Sequence, residues 1–266
     1  MTSWSGRRLL VVVAHPDDET FGLGSVIADA ASAGADVTVC CATRGEAGEV
    51  ASRYEVAPGE LGAVRVRELH DAGAALGVSE IMLLDFVDSG MVGDADDTTL
   101  VGAPLASVVD AVAAVVARVS PDVVVTLDPT GGDGHRDHVR ISEATVAATR
   151  TAAPRSSIYC GTVTRSMMLR WLDAQQQLHP DAGHLELDRT ELGRPDDEIT
   201  TMLDLGPYLE LRQQAIALHS SQRSPFEGMP EDLVDAFLRQ APLVRVEPRW
   251  TGGPLETSLL VGDRPA

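Results

Sequence analysis

Two short stretches concentrate the side chains able to do chemistry. His15-Pro16-Asp17-Asp18-Glu19 places an imidazole before three consecutive carboxylates, and His135-Arg136-Asp137-His138 places two imidazoles around a fourth. Adjacent acids are tolerable only near a cation, a proton or solvent. Imidazole nitrogen and carboxylate oxygen are ligands that Zn²⁺ accepts. His15 and Asp18 therefore offer one of each, with Asp17 facing the remaining space as a base. Together the two stretches supply His, Asp, His and an open position for water, the composition of a catalytic rather than a closed zinc site. Each stretch alone has a plainer reading. A lone histidine usually belongs to the surface or the core, and paired acids after a turn often cap a helix N-terminus.

The elements around these stretches put them on one rim. Leu9 to Ala14 is an unbroken apolar run followed by His15 and Pro16, and proline has no N–H for a sheet ladder, so the run reads as a buried strand. Gly22 to Ala33 is small and apolar and suits a helix, with Gly34 to end it. Asp36 to Ala42, Ile81 to Leu84 and Asp122 to Leu127 are further strands. Gly59 to Leu76, Leu105 to Val119 and Val139 to Thr151 are helices, the second closed by Pro121. Strict alternation of apolar strands with helices predicts a Rossmann-like α/β fold, with a mostly parallel sheet and helices on both faces. Every loop with reactive side chains follows a strand, where open α/β sheets place their sites.

Beyond Pro154 the pattern weakens. Ser156 to Thr164 and Ile199 to Leu205 read as strands, Met167 to Gln177 and Pro207 to His219 as helices, and His179 to Glu198 as a polar excursion. The remainder, through Pro242, Pro248 and Gly252-Gly253, reads as irregular. The expected organisation is one domain over 1–266, with a core at about 8–160 and an irregular C-terminal cap at about 161–266.

The chain has 266 residues, 44% of them hydrophobic, enough for a sizeable core. Its net charge of −19 argues against nucleic acid or an anionic membrane as partner. All basic residues are arginine, so a Schiff-base or P-loop lysine is excluded. Cys40, Cys41 and Cys160 lie in apolar runs and read as buried, reduced thiols of a cytoplasmic protein. No signal peptide is evident, and no segment approaches the roughly 18 apolar residues of a membrane span. Gly22-Leu23-Gly24 imitates part of a dinucleotide fingerprint. However, Ile27 replaces its third glycine, and the preceding carboxylates would oppose a pyrophosphate. No G-x-S-x-G elbow occurs.

The ordered set of motifs resembles the PIG-L/LmbE-like N-deacetylases. It comprises Ala14 to Glu19, Thr43-Arg44-Gly45-Glu46-Ala47-Gly48-Glu49, Asp85 to Met91 with Asp88-Ser89-Gly90-Met91, and Asp128-Pro129 followed by His135-x-Asp137-His138. The likeness covers most of residues 8–150, and a weaker one continues through Arg212 to Gln222. In flavour it is nearest the members that handle mycothiol, its precursor or its conjugates. The resemblance implies a zinc-dependent amidase acting on N-acyl glucosamine derivatives.

It further implies His15, Asp18 and His138 as metal ligands and Asp17 as the base that takes a proton from the attacking water. His135 would stabilise the oxyanion or protonate the leaving amine, and Asp137 would orient a neighbouring histidine. Arg65, Asp88 and Glu46 would contact substrate. Arg65 is equally readable as a solvated helix residue, Asp88 as a turn residue, and Glu46 and Glu49 as helix caps. His219 reads as structural. Arg136 stands where the family usually has proline, and Asp133 where thiol-pathway relatives often carry an aromatic residue.

The expectation is a cytoplasmic deacetylase or amidase of a small N-acyl amino-sugar substrate. Its cofactor is Zn²⁺, with Fe²⁺ also suited to a His/Asp/His site, and a homo-oligomer is compatible. The rival readings are a deacylase of a glycosylated secondary metabolite, a non-catalytic metal- or sugar-binding module, and a nucleotide-binding dehydrogenase.

Overall fold

The computed structural model describes residues 3–130, 134–178, 189 and 191–260. Asp133 and most of the polar stretch from His179 to Glu198 lie outside the described residues.

Five strands form the parallel part of the sheet: β1 (Arg8–Val13), β2 (Asp36–Cys41), β3 (Glu80–Leu83), β4 (Val123–Leu127) and β5 (Ser157–Gly161). They run in the order β3-β2-β1-β4-β5. Each neighbouring pair is parallel, with Val12 of β1 opposite Cys40 on one side and Thr126 on the other. The continuous apolar composition follows from this layering: Leu9 to Val13 and Val123 to Val125 are buried on both faces of a helix-covered sheet.

The short helix α1 (Asp18–Phe21) and α2 (Gly24–Ser32) connect β1 to β2, and α3 (Leu61–Leu76) leads to β3. Gly77 closes α3 at φ 83°, a left-handed cap that glycine adopts without penalty. α4 (Leu105–Val119) packs beside α5 (Arg136–Ala152), and α5 begins three residues earlier than its apolar pattern indicates. The reason is that His135 to His138 themselves form the cap and first turn of that helix.

The C-terminal portion lengthens the sheet as well as capping it. After α6 (Arg165–Leu178) come β6 (Thr201–Asp204), α7 (Leu209–Leu218), α8 (Glu231–Arg239) and β7 (Gln240–Glu247). β7 inserts antiparallel between β5 and β6. An interior strand containing Pro242 runs against its sequence, because proline lacks a ladder N–H. Here the Pro242 carbonyl still serves the sheet, accepting from the Thr162 N–H at 3.1 Å.

The three cysteines are free and buried, and burial pushes the Cys40 and Cys160 thiols up to about 12. Among the described residues no helix is long and apolar enough to cross a membrane.

Candidate metal centre

The strand order reverses at β1: the chain moves outward to β2 and β3, then returns to lay β4 on the other side. The loops after β1 and β4 therefore face each other at the switch point, where open α/β sheets leave a crevice. His15 to Glu19 follow β1, and His135 to His138 follow β4 across that crevice.

The first loop is tied to the end of its own strand. Oδ2 of Asp18 accepts from the backbone N–H of His15 at 2.8 Å and of Ala14 at 3.2 Å. This leaves Asp17 at φ 148°, ψ −32°, a conformation that L-residues rarely adopt. Its N–H donates to Glu19 Oε2 at 2.9 Å. The second loop is the N-terminus of α5, where His135 caps the helix and Nδ1 accepts from the Asp137 N–H at 3.2 Å.

Together the loops gather three imidazoles. Ring centroids lie 4.5 Å apart for His15 and His135, 5.3 Å for His15 and His138, and 4.9 Å for His135 and His138. Ligand atoms of His15, His135 and His138 all lie within 4.8 Å of one another, and a second such group joins His15, Asp88, His135 and Asp137. Asp18 stands against two of the rings, with Oδ1 at 3.1 Å from His138 Nε2 and Oδ2 at 3.6 Å from His15 Nδ1. Asp137 is fully buried. Its Oδ2 lies 3.1 Å from His15 Nε2 and accepts from the Ser89 N–H at 3.0 Å.

This crowding displaces the acid–base equilibria. Burial and the neighbouring charge of Asp18 push the Asp17 carboxyl up to about 7. Burial opposes ionisation of Asp18 too, but His138 and His15 hold its carboxyl well below the usual range. Burial likewise opposes charge on His15, yet bonds to Asp137, Asp18 and Asp88 raise its pKa well above the ordinary value. Three carboxylates, Asp18, Asp88 and Asp137, stand within 3.6 Å of His15, and such a concentration of acids calls for positive charge. Nitrogen and oxygen donors at these separations fit a divalent metal ion, and the buried Asp137 Oδ1 has no hydrogen-bond partner among the described residues.

The expected substrate contacts lie on the β2/β3 flank. Asp88 is buried and turned inward: it accepts from the N–H groups of Gly90 at 2.8 Å and Ala47 at 3.2 Å, and stands 3.5 Å from His15. Glu46 is exposed, and its Oε2 accepts from the Asp88 N–H at 3.3 Å. Arg65 is buried rather than solvated, donating to the Glu49 carbonyl at 3.3 Å. Gly48 permits that seat, since a Cβ there would stand 2.1 Å from the guanidinium.

Two supports escaped the sequence reading. Arg136, conspicuous as a departure from proline, grips the loop after β3. It donates to the carbonyls of Gly90 and Gly93 at 2.8 Å each, and also to that of Ser89. From the C-terminal region, His219 places Nε2 2.6 Å from Glu19 Oε1, and Gln222 donates to the Pro16 carbonyl at 2.6 Å. Arg212 donates to the carbonyls of Thr20 and Phe21 at the end of α1. The segment Arg212 to Gln222 thus braces the His15–Glu19 loop from behind. Its likeness to the family was the available signal, but periodicity could not say what it touched.

A Rossmann-like sheet with an imidazole–carboxylate cluster at its switch point defines the class: an α/β protein with a candidate hydrolytic metal centre. The family model described as PIG-L, GlcNAc-PI de-N-acetylase, matches residues 10–149. This chain belongs to that family.

A relative from Rhodococcus jostii, 1D-myo-inositol 2-acetamido-2-deoxy-alpha-D-glucopyranoside deacetylase, is 36% identical over 240 residues, covering 82% of each chain. Among solved structures, a deacetylase from the teicoplanin biosynthesis pathway aligns with TM-score 0.62 at 20% identity, covering 91% of this chain and 99% of that one. The 4-carboxy-2-hydroxymuconate hydratase of Pseudomonas putida KT2440 aligns with TM-score 0.59 at 19% identity, covering 93% and 99%. The fold thus carries more than one chemistry, and function must be argued from the site.

Proposed function

We propose that this protein is a metal-dependent N-deacetylase that hydrolyses the amide of an N-acyl amino-sugar derivative, such as a glucosaminyl-inositol. The observation that carries the reading is Asp17, a partly buried carboxyl held in an unusual backbone conformation in the loop that also carries His15 and Asp18. A pure binding module has no use for a base kept there. The relative's printed activity and its coverage of this chain support the amino-sugar substrate.

His15, Asp18 and His138 would hold the ion, Zn²⁺ or Fe²⁺; the support is that Asp18 faces both rings. Bound there, a divalent cation supplies Lewis acidity for the amide carbonyl and for water. Asp17 takes the proton of the attacking water. His135, an imidazole at the same cluster, stabilises the developing oxyanion or returns a proton to the departing amine. Asp137 fixes the ring of His15 through the 3.1 Å contact.

Elemental analysis, with acetate release from N-acetylglucosaminyl-inositol before and after chelation, tests the reading. The expected result is about one metal per chain and chelator-sensitive release. Absence of metal after reconstitution would sink it. The ligand set has its own test, because His135 shares the cluster: Asp18→Ala should lose the metal and His135→Ala should retain it, and the reverse would replace Asp18 by His135.

A further inference from the structure

The cluster has two unlike flanks. On the β2/β3 side lie Glu46, Asp88 and Arg65. On the β4/β5 side a cavity of about 400 Å³ opens, with Asp18 and His138 in its wall. The rest of that wall is dominated by apolar side chains, among them Phe21, Leu23, Trp171, Leu172, Phe226 and Phe237. Of its other charged members, Arg212 gives its guanidinium to backbone carbonyls. Asp128 accepts from the Thr130 N–H and hydroxyl at 2.8 Å each through Oδ1. Its buried Oδ2 is without a hydrogen-bond partner among the described residues, leaving one polar spot in a mostly apolar wall.

An amide substrate reaches out from its scissile bond in two directions. The amino-sugar arm carries hydroxyls whose burial against hydrocarbon would leave hydrogen bonds unmade, a cost of order 1–3 kcal/mol each, so it belongs on the polar flank. The acyl arm then points into the apolar cavity. An acetyl group, with a single methyl beyond its carbonyl, would leave most of that space unfilled, whereas pockets of this size hold ligands of drug-like bulk. Empty apolar cavities stay dry and reward apolar occupants.

We infer that the cavity is an acyl-chain site, and that this enzyme removes medium-length saturated acyl groups from an amino sugar in preference to acetyl. The inference rests on the reading above of a metal-dependent amidase of N-acyl amino sugars, and replaces acetyl by a longer chain as the preferred acyl arm. Amide hydrolysis would release a fatty carboxylate and the free amine, with water as the only co-reactant.

The test is kcat/KM for a series of N-acyl-D-glucosamines from acetyl to decanoyl. Each added methylene should raise it about two- to fourfold until the cavity is full. Met167→Trp, which narrows the cavity from α6, should cut the octanoyl-to-acetyl ratio tenfold or more. Octanoate titrated into the protein should change its tryptophan fluorescence, and Trp171→Phe should abolish that change. A series that falls from acetyl onward, with no octanoate response, would overturn the inference and leave the deacetylase reading standing. A rise with the length of an alkyl aglycone instead of the acyl group would assign the cavity to the other arm, and would overturn it equally. Hydrolysis of no member, by metal-loaded enzyme, would remove the deacylase reading and the inference with it.

Discussion

Asp17 and His219 show how one side chain's task is set by its neighbours. Asp17→Asn keeps the shape of the loop but removes the proposed base. It should retain metal by elemental analysis while turnover falls about 10²- to 10⁴-fold. In the wild type, kcat/KM should rise with pH as Asp17 ionises. Its carboxyl sits at about 7 in the protein alone, and a bound cation, by favouring the carboxylate, should draw the midpoint lower. His219 is different: both it and Glu19 are inaccessible to solvent and 2.6 Å apart. Burial opposes the imidazolium, but the charge and hydrogen bond of Glu19 raise its pKa above the ordinary histidine value. A raised histidine pKa stabilises the fold fully below the unfolded value and loses that contribution as pH rises through the folded one. His219→Ala strands a buried carboxylate, at a cost of about 3–5 kcal/mol. In denaturant melts run above the unfolded histidine pKa of about 6.5, the gap from wild type should shrink as pH increases. A gap that widened would show that the pair is not charged as described.

At the scale of elements, the site depends on helix ends and loops that grip one another. The first turn of α5 delivers His138 to the cluster while Arg136 in the same turn clamps the carbonyls of Ser89, Gly90 and Gly93. Hydrogen bonds from a charged donor contribute about 1.5–3 kcal/mol each when partly buried. Arg136→Ala should therefore loosen the loop that carries Asp88 while leaving the proposed ligands His15, Asp18 and His138 in place. Faster amide exchange at Gly90 to Gly93 is expected, with KM raised several-fold and metal content unchanged. Unaltered exchange would show that the clamp does not hold the loop. α7 and the turn after it brace the opposite side through Arg212, His219 and Gln222, so the reactive loop after β1 is held by a segment about two hundred residues away.

For the whole molecule, a net charge of −19 and a carboxylate-lined cleft make the metal-free protein self-repelling. A divalent cation held at the proposed site would relieve that repulsion and would bind only the folded chain. Chelation should lower Tm, and restoring Zn²⁺ should recover it by an amount equivalent to about 2.7 kcal/mol at a hundred times Kd. Indifference of Tm to chelator and metal would contradict a structural linkage between this cluster and the fold.

Much of this was written locally. Apolar runs such as Leu9 to Val13 carry the buried parallel strands because nothing else can sit on both faces of a covered sheet. Pro16 and the residues after it mark the reactive loop, since chain breaks and consecutive acids are local chemistry. β7 was hidden because Pro242 argues against an interior strand, and its partners β5 and β6 are far away in sequence. Local spacing also could not say that Arg65 would be buried, that Arg136 would clamp a distant loop, or that His219 would pair with Glu19. Such pairings depend on which surfaces close on each other after collapse. The apolar cavity belongs to the same category: Phe21, Trp171, Phe226 and Phe237 are scattered along the chain, and only the packing of α6 and α8 over the sheet rim brings them to one wall. Residue type and spacing determined the strands and the candidate site residues. Tertiary closure decided which groups meet, because burial and charge pairing are properties of the assembled surface and not of any one segment.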